Sequence, residues 1–487
     1  MKLQLVPVLA LASAVLGATA FGEVTVTVDW SAERGPIRDV NSVGQPPITG
    51  WVGTNMFHHL AEIGAKYSRL HDVGGCFGGG RFVDIPNLFP DFEADENDPT
   101  NYRFQFTDRL FEGLAAVGCE PFYRLGVSIE NQQRIERRHI LPPKDFAKWA
   151  RICEHIIRHY TEGWADGYRM RITHWEIWGE PDLYQYPDLP GEEAYRDAML
   201  WYGPFDEYIR LYVESVGYLK AKFPHLKFGG YAGCGFGIAT YAPGGRRMRD
   251  FQARETLARR FLRRVRETGT ALDFFSFHGY DNASNLVKQC QYARKLLDDE
   301  GFAGTPISFN EWLCRQMPCG SVQQAAECAA TMIGLQKLGI ETAMVYDAKC
   351  SENDYAPLFD PISLRPRKPY YAFLYFNELK ACGTAVETSV AGDSGVWALA
   401  AKGPDGRAAL LLANTTDAEV PLSLDLRAEI LGCRQTDRLR TDAEVPLPTF
   451  LPPRSVTLVR LRNRDNCLTC PSGDTRQPAA LPSRVRD

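Results

Sequence analysis

From about residue 36 to residue 380 the hydrophobic positions change period in a regular way. Stretches with apolar residues at i, i+3 and i+4 alternate with short aromatic and β-branched runs. The first pattern predicts amphipathic helices and the second predicts buried strands. The helical "NMFHHLAEIGA" precedes "KYSRLHD" (66–72), and "TDRLFEGLAAVG" precedes "EPFYRLGVS" (120–128). The long "KDFAKWARICEHIIRHYTEG" precedes "THWEIWGE" (173–180), and "FDEYIRLYVESVGYLKAKF" precedes "KFGGYAG" (227–233). Three more pairs end in "DFFSFHGY" (273–280), "PISFNEWL" (306–313) and "TAMVYDA" (342–348). With a first strand near "RDVNSVGQ" (38–45), the chain holds eight strand–helix units. Eight such units make a (β/α)8 TIM barrel over residues 36–380. Periodicity alone leaves a doubly wound open sheet as the alternative.

After residue 383 the period falls to two. "GVWALAAKG", "AALLLANTT", "VPLSLDL" and "SVTLVRL" alternate apolar and polar residues between Gly, Asp and Pro turns. They predict an accessory antiparallel β-sandwich over residues 384–462. "VTVTVDW" (24–30) has the same alternation ahead of the barrel, so segment 21–35 is expected to join that sheet. Residues 463–487, rich in Arg, Pro and Ser, are expected to be disordered.

The N-terminus has a different logic. Lys2 is followed by a short apolar run and then Ala18-Thr19-Ala20. A basic start, a short apolar core and a small-x-small site describe a secretory leader, 1–20, and a secreted or periplasmic mature protein. No later run approaches the roughly 18 unbroken apolar residues of a spanning helix, so no membrane span is expected. A net charge of −5 without a basic block argues against a nucleic-acid partner. The cysteines number 13, so at least one stays unpaired. Cys314 and Cys319 are close enough in sequence for a local bridge. Cys467 and Cys470 form half a zinc site at best.

In a barrel, chemistry gathers at the C-terminal ends of the strands, where the βα loops build the site. Those ends here carry Arg69, His71 and Asp72, then Glu180, then His278 and Tyr280, then Asn310, Glu311 and Trp312, then Tyr346 and Asp347. Two of these are glutamates on different strands. Opposed carboxylates suit glycosidic hydrolysis, one attacking the anomeric carbon and the other protonating the leaving oxygen.

These segments carry a family resemblance. "WEIWGEPD" resembles the acid/base segment of glycoside hydrolase family 39, typically EIWNEPD. "ISFNEWL" is similar to that clan's nucleophile strand, and "DFFSFHGY" to its His-x-Tyr strand. "WYGPFDEYIRLY" (201–212) and "SRLHD" (68–72) fall where the family has similar text, so the resemblance spans about residues 24 to 462. It implies Glu180 as general acid/base and Glu311 as nucleophile. Arg69, His278 and Tyr280 would orient the nucleophile or bind the sugar, and His71, Trp312 and Tyr346 would contact it. The implied substrate is an oligosaccharide or glycoside, cleaved with retention by a β-xylosidase-like exo-β-glycosidase acting on plant or microbial polysaccharide fragments. No cofactor and no metal are implied. Two rivals stand beside this reading: an endo-acting polysaccharide hydrolase, and a non-catalytic carbohydrate-binding protein on a degenerate barrel. Gly179 favours the second, because the family's asparagine is missing there.

Other groups read more plainly. Glu176 lies four residues before Glu180, deeper on the same face of the strand, and is expected to be a buried polar partner. Glu154, His155 and His159 lack the H-E-x-x-H order, so a helix surface is expected rather than a metal site. "GGCFGGGR" (74–81) lacks the Lys-Ser/Thr of a phosphate loop and reads as a flexible loop beside the site. Specificity is expected in the loops 73–100, 183–204, 234–249 and 349–368.

Overall fold

The computed structural model describes residues 22–48, 55–71, 82–128, 139–237, 245–351, 353–392 and 395–463. The expected leader (1–20), the glycine-rich stretch 74–81 and the tail from 464 onward lie outside the described residues. A first strand, β1 (Val24–Pro36), leads into the barrel. Eight parallel strands then close on themselves in chain order. They are β2 (Asp39–Gly44), β3 (Tyr67–Leu70), β4 (Glu120–Leu125), β5 (His174–Ile177), β6 (Lys227–Gly233), β7 (Phe274–Tyr280), β8 (Ile307–Leu313) and β9 (Thr342–Tyr346). Closure is direct, since β9 pairs with β2 through Val43 opposite Val345. The open-sheet alternative is thereby excluded.

The connecting helices are α1 (His58–Glu62), α2 (Ile85–Leu88), α3 (Gln105–Ala116), α4 (Phe146–Thr161), α5 (Phe205–Lys222), α6 (Arg246–Thr268), α7 (Ala283–Asp299), α8 (Val322–Leu338) and α9 (Lys368–Cys382). Their starts follow capping chemistry. Asp145, Asn282 and Ser321 each accept a hydrogen bond from a first-turn backbone N–H of α4, α7 and α8. α4 buries Phe146, Trp149, Ile152, Cys153, Ile156 and Tyr160, the stripe its spacing predicts. His159 departs from the expected helix surface. It is buried, with Nδ1 on the Trp164 carbonyl and Nε2 on Asp108.

The remaining strands are β10 (Thr384–Ala391), β11 (Val396–Lys402), β12 (Arg407–Asn414), β13 (Val420–Asp425), β14 (Glu429–Thr436), β15 (Ala443–Val445), β16 (Phe450–Leu451) and β17 (Ser455–Arg462). With β1 they form one sheet of order β15-β14-β17-β12-β11-β10-β1-β13-β16, antiparallel except for the β1–β13 pair. The period of two splits its side chains between two cores. Val24, Val26, Leu410, Leu412, Val459 and Leu461 fill the sheet's own interior. Cys433 of β14 and Val420 of β13 share that interior from distant places in the strand order, so the sheet curls over on itself. The alternate residues Leu399, Leu411, Ala413, Val456 and Leu458 join the barrel's core instead. They meet α8 and α9. α8 is therefore covered on both sides, which explains its unbroken run of buried residues from Gln324 to Gln336.

Inside the barrel the same alternation stacks side chains in layers. The lowest described layer is apolar and aromatic: Tyr67, Phe122, Phe274 and Met344, with His174 stacked on Phe122. Two residues further along their strands come Arg69, Glu176 and Ser276, and two further still His71 and His278. The polar site stands on a dry floor.

Candidate active site

β8 supplies the first carboxylate through a bulge. Between Ser276 and His278 β7 advances two residues, while β8 advances three, from Ser308 to Glu311. The same surplus shows against β9, where Phe309 and Trp312 face Ala343 and Val345. One extra residue lets a strand aim consecutive side chains to one face. Asn310 thus reaches Glu176 Oε1 at 2.5 Å, and Glu311 also enters the barrel.

Glu311 is held at both oxygens. The Tyr280 hydroxyl donates to Oε1, and Arg69 Nη1 donates to Oε2 at 3.0 Å. Arg69 is wholly buried and its Nε donates to Glu176 Oε2 at 2.8 Å. Burial alone would lower the arginine's pKa, but the Glu176 and Glu311 carboxylates more than reverse this. Glu176 also accepts from Ser276 Oγ at 2.6 Å, so it is a satisfied polar partner below the site. Burial pushes the Glu311 carboxyl above the ordinary glutamate value, against the pull of His278, Arg69 and the Tyr280 hydroxyl.

The second carboxylate arrives from β5. Beyond Ile177 the backbone turns through left-handed conformations at Trp178 (φ 65°) and Glu180 (φ 43°). Such strain persists where the surroundings over-determine it. Here Trp178 N–H donates to Leu125 O and its indole to Leu200 O, while Glu180 N–H donates to Ala232 O. Pro181 and the buried Asp182, which accepts from Cys234 N–H, complete the turn. The Glu180 carboxyl meets His278 Nδ1 at 2.7 Å and keeps 18% of its side chain exposed. Burial lowers the His278 pKa to about 4, so near neutral pH the ring is uncharged.

One oxygen each of Glu180 and Glu311 and a ring nitrogen of His278 lie within 4.8 Å of one another. They face a cavity of about 550 Å³, also lined by His71, Tyr280 and Tyr346. His71 accepts from Arg69 Nη1 through Nε2 and stacks on Tyr346 at 5.5 Å. Tyr355 packs edge-on to both Tyr280 and Tyr346, giving this wall an aromatic rim.

Two expected contacts are corrected. Trp312 does not reach the cavity: β8 turns it outward, and it stacks on Phe373 of α9 at 6.1 Å, wholly buried. Arg69 does not reach it either: sealed beneath Glu311 and His71, it orients the nucleophile, the first of its two expected roles, and does not touch the sugar's space. Sequence reasoning also missed contributors. Arg124 of β4, Tyr184, Asp281, Lys349 and Tyr355 line the cavity, and Ser276 holds Glu176 beside the expected Asn310. A lone arginine inside an apolar strand was the available signal for Arg124.

The Glu180, His278 and Glu311 donors could hold a cation geometrically, as could His58, His59 and Glu62 at the surface. In the barrel the donors already serve hydrogen bonds to one another, to Arg69 and to Tyr280. Cys314 and Cys319 are unbridged. Cys314 lies against Thr331 of α8, and Cys319 against Arg367.

Comparison with known proteins bears on the family and the fold. The family model "Glycosyl hydrolases family 39" matches residues 85–334. That for the D-apionate lactonase C-terminal immunoglobulin-like domain matches 393–459. A β-xylosidase from Geobacillus stearothermophilus is 21% identical over 355 residues, 65% of this chain and 63% of the relative. The match therefore spans less than two thirds of that relative's length. Among solved structures, a glucosidase from Croceicoccus marinus superposes with a TM-score of 0.68 at 18% identity, covering 91% of this chain and 99% of that one. A family 39 enzyme from Xanthomonas axonopodis pv. citri gives 0.63 at 19% identity, covering 92% and 99%. With its barrel matched through β4 to α8, the chain belongs to glycosyl hydrolase family 39.

Proposed function

We propose that this protein is a retaining glycoside hydrolase, an exo-β-glycosidase of β-xylosidase-like character. The observation that carries the reading is the approach of Glu180 and Glu311, with oxygens within 4.8 Å. Retaining pairs stand roughly 5–5.5 Å apart, whereas inverting pairs leave about 6.5–9.5 Å for a water. In the first step a Glu311 oxygen attacks the anomeric carbon, the bond to the leaving oxygen breaks, and the Glu180 proton passes to that oxygen. In the second step Glu180, now a carboxylate, takes a proton from water. The water oxygen bonds to the anomeric carbon and releases Glu311. Arg69 and Tyr280 fix the nucleophile, and uncharged His278 positions the acid/base. His71 and Tyr346 offer the sugar a polar edge and a stacking face.

The β-xylosidase from Geobacillus and a monomeric β-xylosidase from Caulobacter crescentus CB15 support the choice of sugar class. The leader-like residues 1–20 support a secreted or periplasmic site of action, and mass spectrometry of the mature N-terminus tests that placement. For the reaction, an aryl β-xyloside is hydrolysed and the product's first-formed anomer is read by NMR. The β anomer is expected. The α anomer overturns the retaining mechanism, and sugar binding without any turnover favours the carbohydrate-binding rival.

A further inference from the structure

Gly179, beside the acid/base, has no side chain, but the space is not empty. A Cβ built on it would lie 2.8 Å from Arg124 Nη1 and 2.9 Å from its Cδ. The arginine stands where a side chain at 179 would stand. It reaches there from β4, one strand over, and is only 3% exposed. Its anchoring is partial. Nη2 donates to Ser128 Oγ at 3.2 Å, while the Asp84 carboxylate lies 3.7 Å away. The Asp84 oxygens already accept from Ser128 N–H and Oγ–H, both at 2.8 Å. Nε has no partner among the described residues. A buried donor left short of acceptors costs free energy and calls for an explanation.

Nε itself is sealed from solvent, and the end of the fork left to meet a ligand is Nη1, which stands over Gly179 beside the cavity. Arg124 lines it together with Glu180 and Glu311. A sugar reacting between those carboxylates has its anomeric carbon flanked by the ring oxygen and carbon 2. The ring oxygen gathers positive charge in the oxocarbenium-like transition state, so a guanidinium would be repelled there. The oxygen on carbon 2 is an acceptor whose contacts tighten as the reaction proceeds. Resting on the glycosidase reading, we propose that Arg124 is a substrate-binding, specificity-determining residue. From β4 it donates to the oxygen on carbon 2 of the reacting sugar, through the space that Gly179 leaves. Glycine is required because any larger residue at 179 meets that guanidinium. An arginine also carries a fixed charge and a planar fork, so it accepts a substituted oxygen, including a sulfate ester, that a neutral amide serves less well.

The test compares 4-nitrophenyl β-xyloside with its 2-deoxy analogue in wild type, Arg124→Ala, Arg124→Gln, Gly179→Asn and the double variant Arg124→Ala/Gly179→Asn. Thermal unfolding of each variant confirms folding. Arg124→Ala is expected to lower kcat/KM on the xyloside about a hundredfold, the scale of one lost transition-state donor. On the 2-deoxy analogue it should change little. Gly179→Asn alone should impair the xyloside by displacing the arginine and should change the 2-deoxy analogue little. In the double variant the asparagine has room, and about tenfold should return on the xyloside but not on the analogue. Equal losses on the two substrates, or no loss on either, overturn the proposal. Turnover of neither substrate by wild type sinks the glycosidase reading instead. Calorimetric binding of xylose-configured iminosugars with and without the corresponding hydroxyl then decides. A preference for the hydroxyl that vanishes in Arg124→Ala or Arg124→Gln upholds the contact, and a preference that persists in both overturns it.

Discussion

Asn310 and Glu311 are consecutive in β8, yet both side chains face the barrel interior, Asn310 onto Glu176 and Glu311 onto Arg69 and Tyr280. The bulge joins them into one chain of contacts, Asn310–Glu176–Arg69–Glu311. Asn310 is therefore a positioning residue for the nucleophile. Asn310→Ala should lower kcat by about tenfold while KM shifts much less, because the sugar never touches it. It should also cost about 1–3 kcal/mol of stability through the weakened satisfaction of Glu176. A change in KM with kcat intact would refute the positioning role.

The two carboxylates are distinguishable by leaving group. Glu311→Gln should abolish turnover of every glycoside, because it removes the nucleophile from both steps. Glu180→Ala should spare activated aryl glycosides, which need little protonation, and suppress substrates with poor leaving groups. Azide should restore part of the Glu180→Ala activity and give a glycosyl azide of retained configuration. Equal losses across substrates in both variants would reverse the assignment of roles.

The pH profile reports on Glu311. The carboxylate must be ionised to attack, and burial holds its pKa above the usual glutamate value. Activity should accordingly fall, as pH drops, at a value above 4.5, the ordinary value. The Tyr280 hydroxyl stabilises the ionised form. Tyr280→Phe removes that support, so the acid limb of kcat/KM should move to higher pH. A limb that stays in place, or moves lower, would show that Tyr280 does not govern the nucleophile's ionisation.

Trp312 and Tyr346 should separate stability from binding. Trp312→Ala empties a buried site against Phe373 and should cost about 3–5 kcal/mol, seen as a lower denaturant midpoint. The KM of the folded fraction should stay near wild type. Tyr346→Ala, at the cavity wall, should raise KM several-fold at little cost in stability. Were Trp312→Ala to raise KM in a stable protein, the outward placement of its ring would be wrong.

Much of this architecture was legible in the residues. The strand–helix alternation predicts the eight-fold barrel because buried parallel strands and amphipathic helices leave different hydrophobic periods. Glu180, Glu311, His278 and Tyr280 were legible because they end apolar strands where solvated polar tips are otherwise unneeded. Trp312 was misplaced because its contact came with the resemblance, whereas alternation from an inward Glu311 already turns it outward; the bulge, invisible in composition, brings Asn310 inward instead. For Arg69 the sequence left orienting the nucleophile and binding the sugar both open, since it gives a strand's direction but not the depth at which a long side chain stops. Arg124 went unremarked because its role comes from a glycine that is 55 positions away in the chain and adjacent only in space.

The position of β1 bears on how the protein comes to be assembled. Its partners are β10, paired through Thr25 and Ala391, and β13, paired through Val24 and Leu422. A strand made before the whole barrel therefore keeps both edges unpaired until β10 and β13 follow it from the ribosome, several hundred residues later. During that interval its alternating valines and Trp30 form an adhesive ribbon, able to recruit another nascent chain or to bind a holding chaperone. Any truncation between the barrel and β10 makes that interval permanent.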